Sequence, residues 1–237
     1  MRVPPALSAS LNRLWGSRTP YLLIGLTALG VLLRLATFST WGIVYDGAEY
    51  AVMGQSLLQH GEFLVPVGSG AVYSHHYGPL FPLYLSLFYS ILGFSVPVTK
   101  AAELVLAVLF ITVAYATTKD LCGRTKAWYV AAFVALEPMF FITTAIGYAD
   151  DLVGLLFVAT VWAVVKSLRK PPYVLLAGAL AGLGFLAKAP IGYVFLLAGV
   201  AGLAWRVRYR GWGVLRDRWY VSGIAVFGIL AGGWSLR

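Results

Sequence analysis

The sequence predicts an all-α fold: a polytopic transmembrane bundle of about seven spans with juxtamembrane helices in a long first extracytoplasmic loop. Apolar runs of roughly 20 residues, the length that crosses a bilayer as a helix, recur along the chain. Charged residues make up only 11% of the 237 residues and hydrophobic ones 60%, where a water-soluble domain carries about 25% charged. The basic residues also gather in alternate connections, as the positive-inside rule requires.

The elements follow in order. Met1–Pro20 is basic, with Arg2, Arg13 and Arg18 among prolines and serines. A basic start before an apolar run can mark a secretory leader. Here the run, Tyr21–Thr40, is as long as a full span, and no small-residue cleavage site precedes Asp46, so an uncleaved first helix is expected. The loop Trp41–Lys100 follows. Span 2 is expected over Ala101–Thr118, span 3 over Ala127–Thr144, span 4 over Leu152–Val165, span 5 over Tyr173–Ala187 and span 6 over Pro190–Trp205, with span 7 starting near Trp219. Within the loop, Pro79–Phe94 is apolar but short and broken by Pro82. Its aromatics Phe81, Tyr84, Phe88 and Tyr89 suit a helix lying in the interface. If it crossed, the later basic loops would all move outside.

With the N-terminus inside, 14 of the 18 basic residues fall in cytoplasmic segments: the N-terminal segment and the loops Lys119–Lys126, Lys166–Pro172 and Arg206–Arg218. Seven of the nine acids fall outside or near that face, Asp120 and Asp217 being the exceptions. The net charge of +9 is thus explained by topology, with no need for a nucleic-acid partner. The single cysteine, Cys122, excludes an internal disulfide and a cysteine-rich metal site.

The chemistry-bearing candidates sit at span boundaries, where an ionisable group is a functional-site candidate. Asp46 and Glu49 follow span 1 and would share a helix face with Tyr50. They serve either as base or ligand, or as a capping box in which Asp caps and Glu closes the first turn. His75 and His76 precede Pro79, and adjacency argues against a two-histidine metal site on one helix. Asp150 and Asp151 open span 4, where acids also suit the helix dipole. Lys188 lies between spans 5 and 6 on the acidic face, as a phosphate clamp or a snorkelling lysine. Arg34, inside span 1, is expected to pair with an acid such as Glu103 or Glu137. One face thereby gathers acids to activate an acceptor and cations to stabilise a leaving phosphate. An ion or proton path, as in a transporter, and a non-catalytic scaffold are the competing readings.

Four segments in order carry a family resemblance. Tyr45-Asp46-Gly47-Ala48-Glu49-Tyr50 resembles the acidic signature that follows the first helix of C-type (GT-C) membrane glycosyltransferases, the protein O-mannosyltransferase and aminoarabinose-transferase relatives. His76-Tyr77-Gly78-Pro79-Leu80-Phe81-Pro82 is similar to their His/Lys–Pro-Pro segment heading a juxtamembrane helix. Glu137-Pro138 before Asp150 is similar to their Ser-Pro…Asp spacing. The stretch from Ala177 to Pro190 resembles their Gly-rich run ending in Lys-Gly-Pro. The resemblance implies inverting transfer of a sugar from a polyprenyl-phosphate donor to a protein, lipid or glycan acceptor at the extracytoplasmic face. It implies Asp46 as leading catalytic carboxylate and Asp150 as the second acid. Glu49, Tyr50, His76, Asp151 and Lys188 are then expected at the substrate, with a divalent metal left open. The chain departs from the pattern at Gly47, where a second acid is usual, and at Gly78, where a proline is usual. Residues 1–237 read as one transmembrane domain. Trp234-Ser235-Leu236-Arg237 resembles a region that continues in the family, so the chain is expected to be an N-terminal part.

Overall fold

The expected apolar runs fold as helices, the third of them as two. The computed structural model describes residues 19–39, 42–67, 70–73 and 77–235. The first helices are α1 (Thr19–Phe38) and α2 (Asp46–His60). A short antiparallel hairpin follows, β1 (Leu64–Val67) against β2 (Gly70–Tyr73), pairing Leu64 with Tyr73 and Val67 with Gly70. Helical patterning did not announce it; its strands are only four residues each. The remaining helices are α3 (Leu80–Leu92), α4 (Val96–Cys122), α5 (Arg124–Leu136), α6 (Pro138–Ile146), α7 (Asp150–Ser167), α8 (Tyr173–Ala187), α9 (Ala189–Arg210) and α10 (Arg218–Ser235). A 3-10 turn, Trp212–Arg216, precedes the last.

Two helices differ from expectation for local reasons. Span 2 begins earlier, because the Ser95 side chain accepts from the Val98 amide (3.4 Å) and Pro97 in the first turn has no helical N–H to lose. The resulting α4 is 27 residues long and carries Lys100 and Glu103 in its first turns. Span 3 divides into α5 and α6, bent by 47°. Pro138 supplies no amide and its ring crowds the preceding turn. Glu137 turns extended there, and its side chain accepts from the Phe140 amide (3.1 Å) to cap α6.

Among the described residues, α1 and α4 are each long and apolar enough to cross a membrane, and the bent pair α5–α6 meets the same condition together. α3 and α8 are apolar but only 13 and 15 residues long. The two acids found among basic loops both have local partners. Asp120 pairs with Lys166 at 2.6 Å and accepts from Trp162 Nε1 at 2.7 Å, while Asp217 accepts from the Trp219 amide at 3.0 Å and so caps α10. Arg34 pairs with neither Glu103 nor Glu137. Its guanidinium bonds Thr144 and three backbone carbonyls, and the acid whose charge it meets is Asp151.

The largest apolar cluster joins α2, α3, α4, α7, α8 and α9. Tyr50, Phe81, Leu85, Leu106, Leu156 and Phe195 lie in it. A second cluster seals α4 against α5 around Ile111, Ala114, Ala131 and Val134. The first cluster is the floor on which the acid-bearing helix ends rest.

Candidate functional site

Asp46 opens α2 without capping it. The residue before it, Tyr45, holds φ at 50°, and no side-chain cap bond forms. The first amides bond to backbone instead, Gly47 to the Val44 carbonyl (3.1 Å) and Ala48 to the Tyr45 carbonyl (3.0 Å). The capping-box alternative for Asp46 and Glu49 is therefore corrected. A tyrosine at positive φ costs on the order of 1–3 kcal/mol and persists only where its surroundings fix it. The Asp46 carboxylate turns to Tyr77, whose hydroxyl donates to Oδ1 at 3.0 Å. The Tyr77 ring lies edge-on to Tyr50 at 4.9 Å, and Tyr50 lies edge-on to Phe81 at 5.1 Å.

Two glycines dock this segment on the bundle. A Cβ on Gly47 would lie 2.0 Å from the Ile146 carbonyl oxygen, so the first turn of α2 rests on the α6–α7 turn. A Cβ on Gly78 would lie 2.0 Å from the Leu186 carbonyl oxygen, so the strand of chain before α3 rests on the end of α8. Each contact brings Asp46 or Tyr77 beside a bundle residue. Gly147 ends α6 in the left-handed region (φ 85°), which turns the chain through Tyr148 and Ala149 into Asp150, the first residue of α7. Lys188, in the extended link between α8 and α9, reaches Asp150 Oδ1 at 2.7 Å and lies 5.3 Å from the centre of the Tyr148 ring.

The two acids share one field. Burial raises the Tyr148 hydroxyl above its ordinary pKa, and the charges of Asp46 and Asp150 raise it further. Burial and then the same two charges act in the same direction on Tyr50. The Tyr77 hydroxyl is also raised, by burial first and then by its bond to Asp46, with Glu49 adding to the effect.

Asp46, Glu49, Asp150 and Lys188 thus reach one end of the bundle, all partly exposed. Two expected neighbours of a substrate are buried there instead. Tyr50 is 1% exposed, its ring enclosed in the apolar cluster. Asp151 is fully buried and accepts from Thr144 at 2.6 Å, because adjacent residues on a helix point about 100° apart. His76, with His75, lies outside the described residues. Sequence reasoning missed Tyr77 and Tyr148 as site residues, since tyrosines at a membrane boundary are common. Glu103 was weighed only as a partner for Arg34. It is fully buried, neither of its oxygens has a hydrogen-bond partner among the described residues, and it lies within electrostatic reach of Asp150 and Asp151. An acid in a long apolar helix was the available signal. Among the described residues no three His, Cys, Asp or Glu side chains converge as metal ligands, and Gly47 removes the neighbouring acid that could have joined Asp46.

The family model described as dolichyl-phosphate-mannose-protein mannosyltransferase matches residues 76–234. The chain belongs to this mannosyltransferase family. It is an integral membrane protein with the GT-C fold. It is similar to the crystal structure of ArnT from Cupriavidus metallidurans bound to undecaprenyl phosphate, with a TM-score of 0.68 and 16% identity over 90% of this chain. The apo crystal structure of the same protein gives a TM-score of 0.71 and 15% identity over 92%. This member of the family spans about 40% of the length of that ArnT chain. A comparison with curated proteins finds no match.

Proposed function

We propose that this chain forms the donor-side part of an inverting glycosyltransferase that takes a sugar from a polyprenyl-phosphate carrier at the extracytoplasmic face. The observation that carries the reading is a carboxylate held by Tyr77, Asp46, and a cation held by Asp150, Lys188, on two sides of one tyrosine, Tyr148, which feels the charges of both acids and has Lys188 over its ring. Asp46 accepts the proton of an acceptor hydroxyl as its oxygen attacks the anomeric carbon. The bond from that carbon to the phosphate oxygen breaks, and its electron pair leaves with the carrier phosphate. Lys188 stabilises the charge that develops there. Asp150 aims Lys188, and Glu49 lies one helical turn from Asp46, within reach of the acceptor. A cavity of about 370 Å³, lined by Asp150 together with Met139, Phe140, Val153, Phe157 and Val194, supports a hydrocarbon chain lying beside the charged pair. Protein, lipid and glycan hydroxyls all suit the acceptor role. The basic loops favour a cytoplasmic N-terminus and, with seven spans, a site on the outer face.

The test is transfer of labelled sugar from undecaprenyl-phosphate mannose and undecaprenyl-phosphate aminoarabinose in membranes holding the full-length gene product. Asp46→Asn is expected to insert and fold normally and to lose transfer by about 10²-fold or more, the scale of a general base. Undiminished transfer by that variant would sink the assignment.

A further inference from the structure

We propose that Arg34 is a positioning residue that sets the direction of Asp150 through Thr144 and Asp151; the proposal rests on the transferase reading above. Pro138 has no N–H, so the Val134 carbonyl, four residues earlier, loses its helical donor. A carbonyl buried without a partner is costly, the more so in a membrane. Arg34 on α1 supplies the missing donors. Its Nη2 donates to the Val134 carbonyl at 3.3 Å, and its Nη1 donates to the Ala135 carbonyl at 3.2 Å and to Gly30 at 3.2 Å. Gly30 permits this approach, since a Cβ there would already lie 3.2 Å from the Ala135 oxygen.

The Nε–H points toward the site. Arg34 Nε donates to Thr144 Oγ1 at 3.2 Å. That hydroxyl has one proton and two acceptors, the Phe140 carbonyl and Asp151 Oδ2, each at 2.6 Å. The carboxylate is the stronger acceptor. Arg34, Thr144 and Asp151 are all fully buried, and the charges of Arg34 and Asp151 act on each other. The planar guanidinium with its five fixed donors suits this junction as no lysine would. The bend in span 3 and the first turn of α7 therefore form one buried unit. Asp150 is the residue before Asp151 on the same turn, so fixing one fixes the direction of the other toward Lys188.

The test reads Lys188 directly in the purified full chain. Its acylation by N-hydroxysuccinimidyl acetate is followed by site-resolved mass spectrometry, with Lys100 as the internal reference. Asp150→Asn marks the rate of a released Lys188. Thr144→Val is expected to raise Lys188 acylation severalfold toward that mark with Lys100 unchanged, and Thr144→Ser, which keeps the hydroxyl, to react at the parent rate. If Thr144→Val does not accumulate, Asp151→Asn, of the same shape, is expected to raise the Lys188 rate in its place. An unchanged Lys188 rate, or a rise as large at Lys100, overturns the proposal. In the transfer assay Thr144→Val, or Asp151→Asn in its place, is expected to lower kcat roughly tenfold to hundredfold, the cost of a misplaced group, and Thr144→Ser to keep it. KM for undecaprenyl-phosphate mannose should stay within about twofold. A released Lys188 with unchanged kcat overturns the positioning role. Undiminished transfer by Asp150→Asn counts against the transferase reading instead, and the acylation rates then decide this inference alone.

Discussion

At the Asp46–Tyr77 contact, a phenol hydroxyl donates to a carboxylate across 31 residues of sequence. Burial and the carboxylate both hold the tyrosine in its protonated form. A raised folded pKa means that the bond is intact below the ordinary tyrosine pKa and is lost only as pH rises through the shifted value. At about pH 10, where a free tyrosine is half ionised, Tyr77 should still be neutral. The tyrosinate absorbance at that pH should then be the same in Tyr77→Phe as in the parent. An absorbance deficit in the variant would show that Tyr77 titrates normally. The same substitution should lower kcat about tenfold while the protein stays folded, the scale of one hydrogen bond to a charged group. Among these residues Asp46, Asp150 and Lys188 were legible in the sequence, because a charge beside a span stands out against its cost. Asp151 was not separable from Asp150, since nothing local tells which of two adjacent acids faces inward.

Elements place these side chains by contact of backbone on backbone. Gly47 and Gly78, which break the family's usual pattern, are two points where the backbone of the α2–α3 segment lies against backbone of the bundle. A methyl group at either position meets a carbonyl oxygen at 2.0 Å, so the segment must move away. Gly47→Ala and Gly78→Ala are each expected to cost about 1–3 kcal/mol, seen as a lower unfolding temperature in detergent. Faster chymotryptic cleavage between α2 and α3 should accompany loss of transfer, and cleavage at the parent rate would show that the docking tolerates the side chain. The break at Glu137-Pro138 was not read in the sequence, where span 3 was expected to be continuous, although a proline in an apolar run was the available signal. That Arg34 fills it was not legible, because the partner carbonyls lie about a hundred residues away.

For the whole molecule, the basic loops predict the side on which each helix end lies. Cys122 ends α4 and is exposed. A membrane-impermeant maleimide should label it only after cells are opened. In a Cys122→Ser background, Glu62→Cys should be labelled on intact cells. Labelling of Cys122 on intact cells would invert the topology and with it the side of the site. α7 carries three charges in its 18 residues and α8 has only 15 residues, and both pack between neighbouring helices.

The sequence by itself determined that the chain is helical, where its long apolar runs lie, and which loops are basic. These follow from transfer energies that add residue by residue along a segment. Only the tertiary structure decided that Tyr77 holds Asp46, that Lys188 meets Asp150 across 38 residues, and that Asp151 turns inward toward Arg34. Those outcomes depend on how closely distant backbones approach. Glycines at 47 and 78 and a proline at 138 set that distance, and the meaning of each depends on what stands opposite.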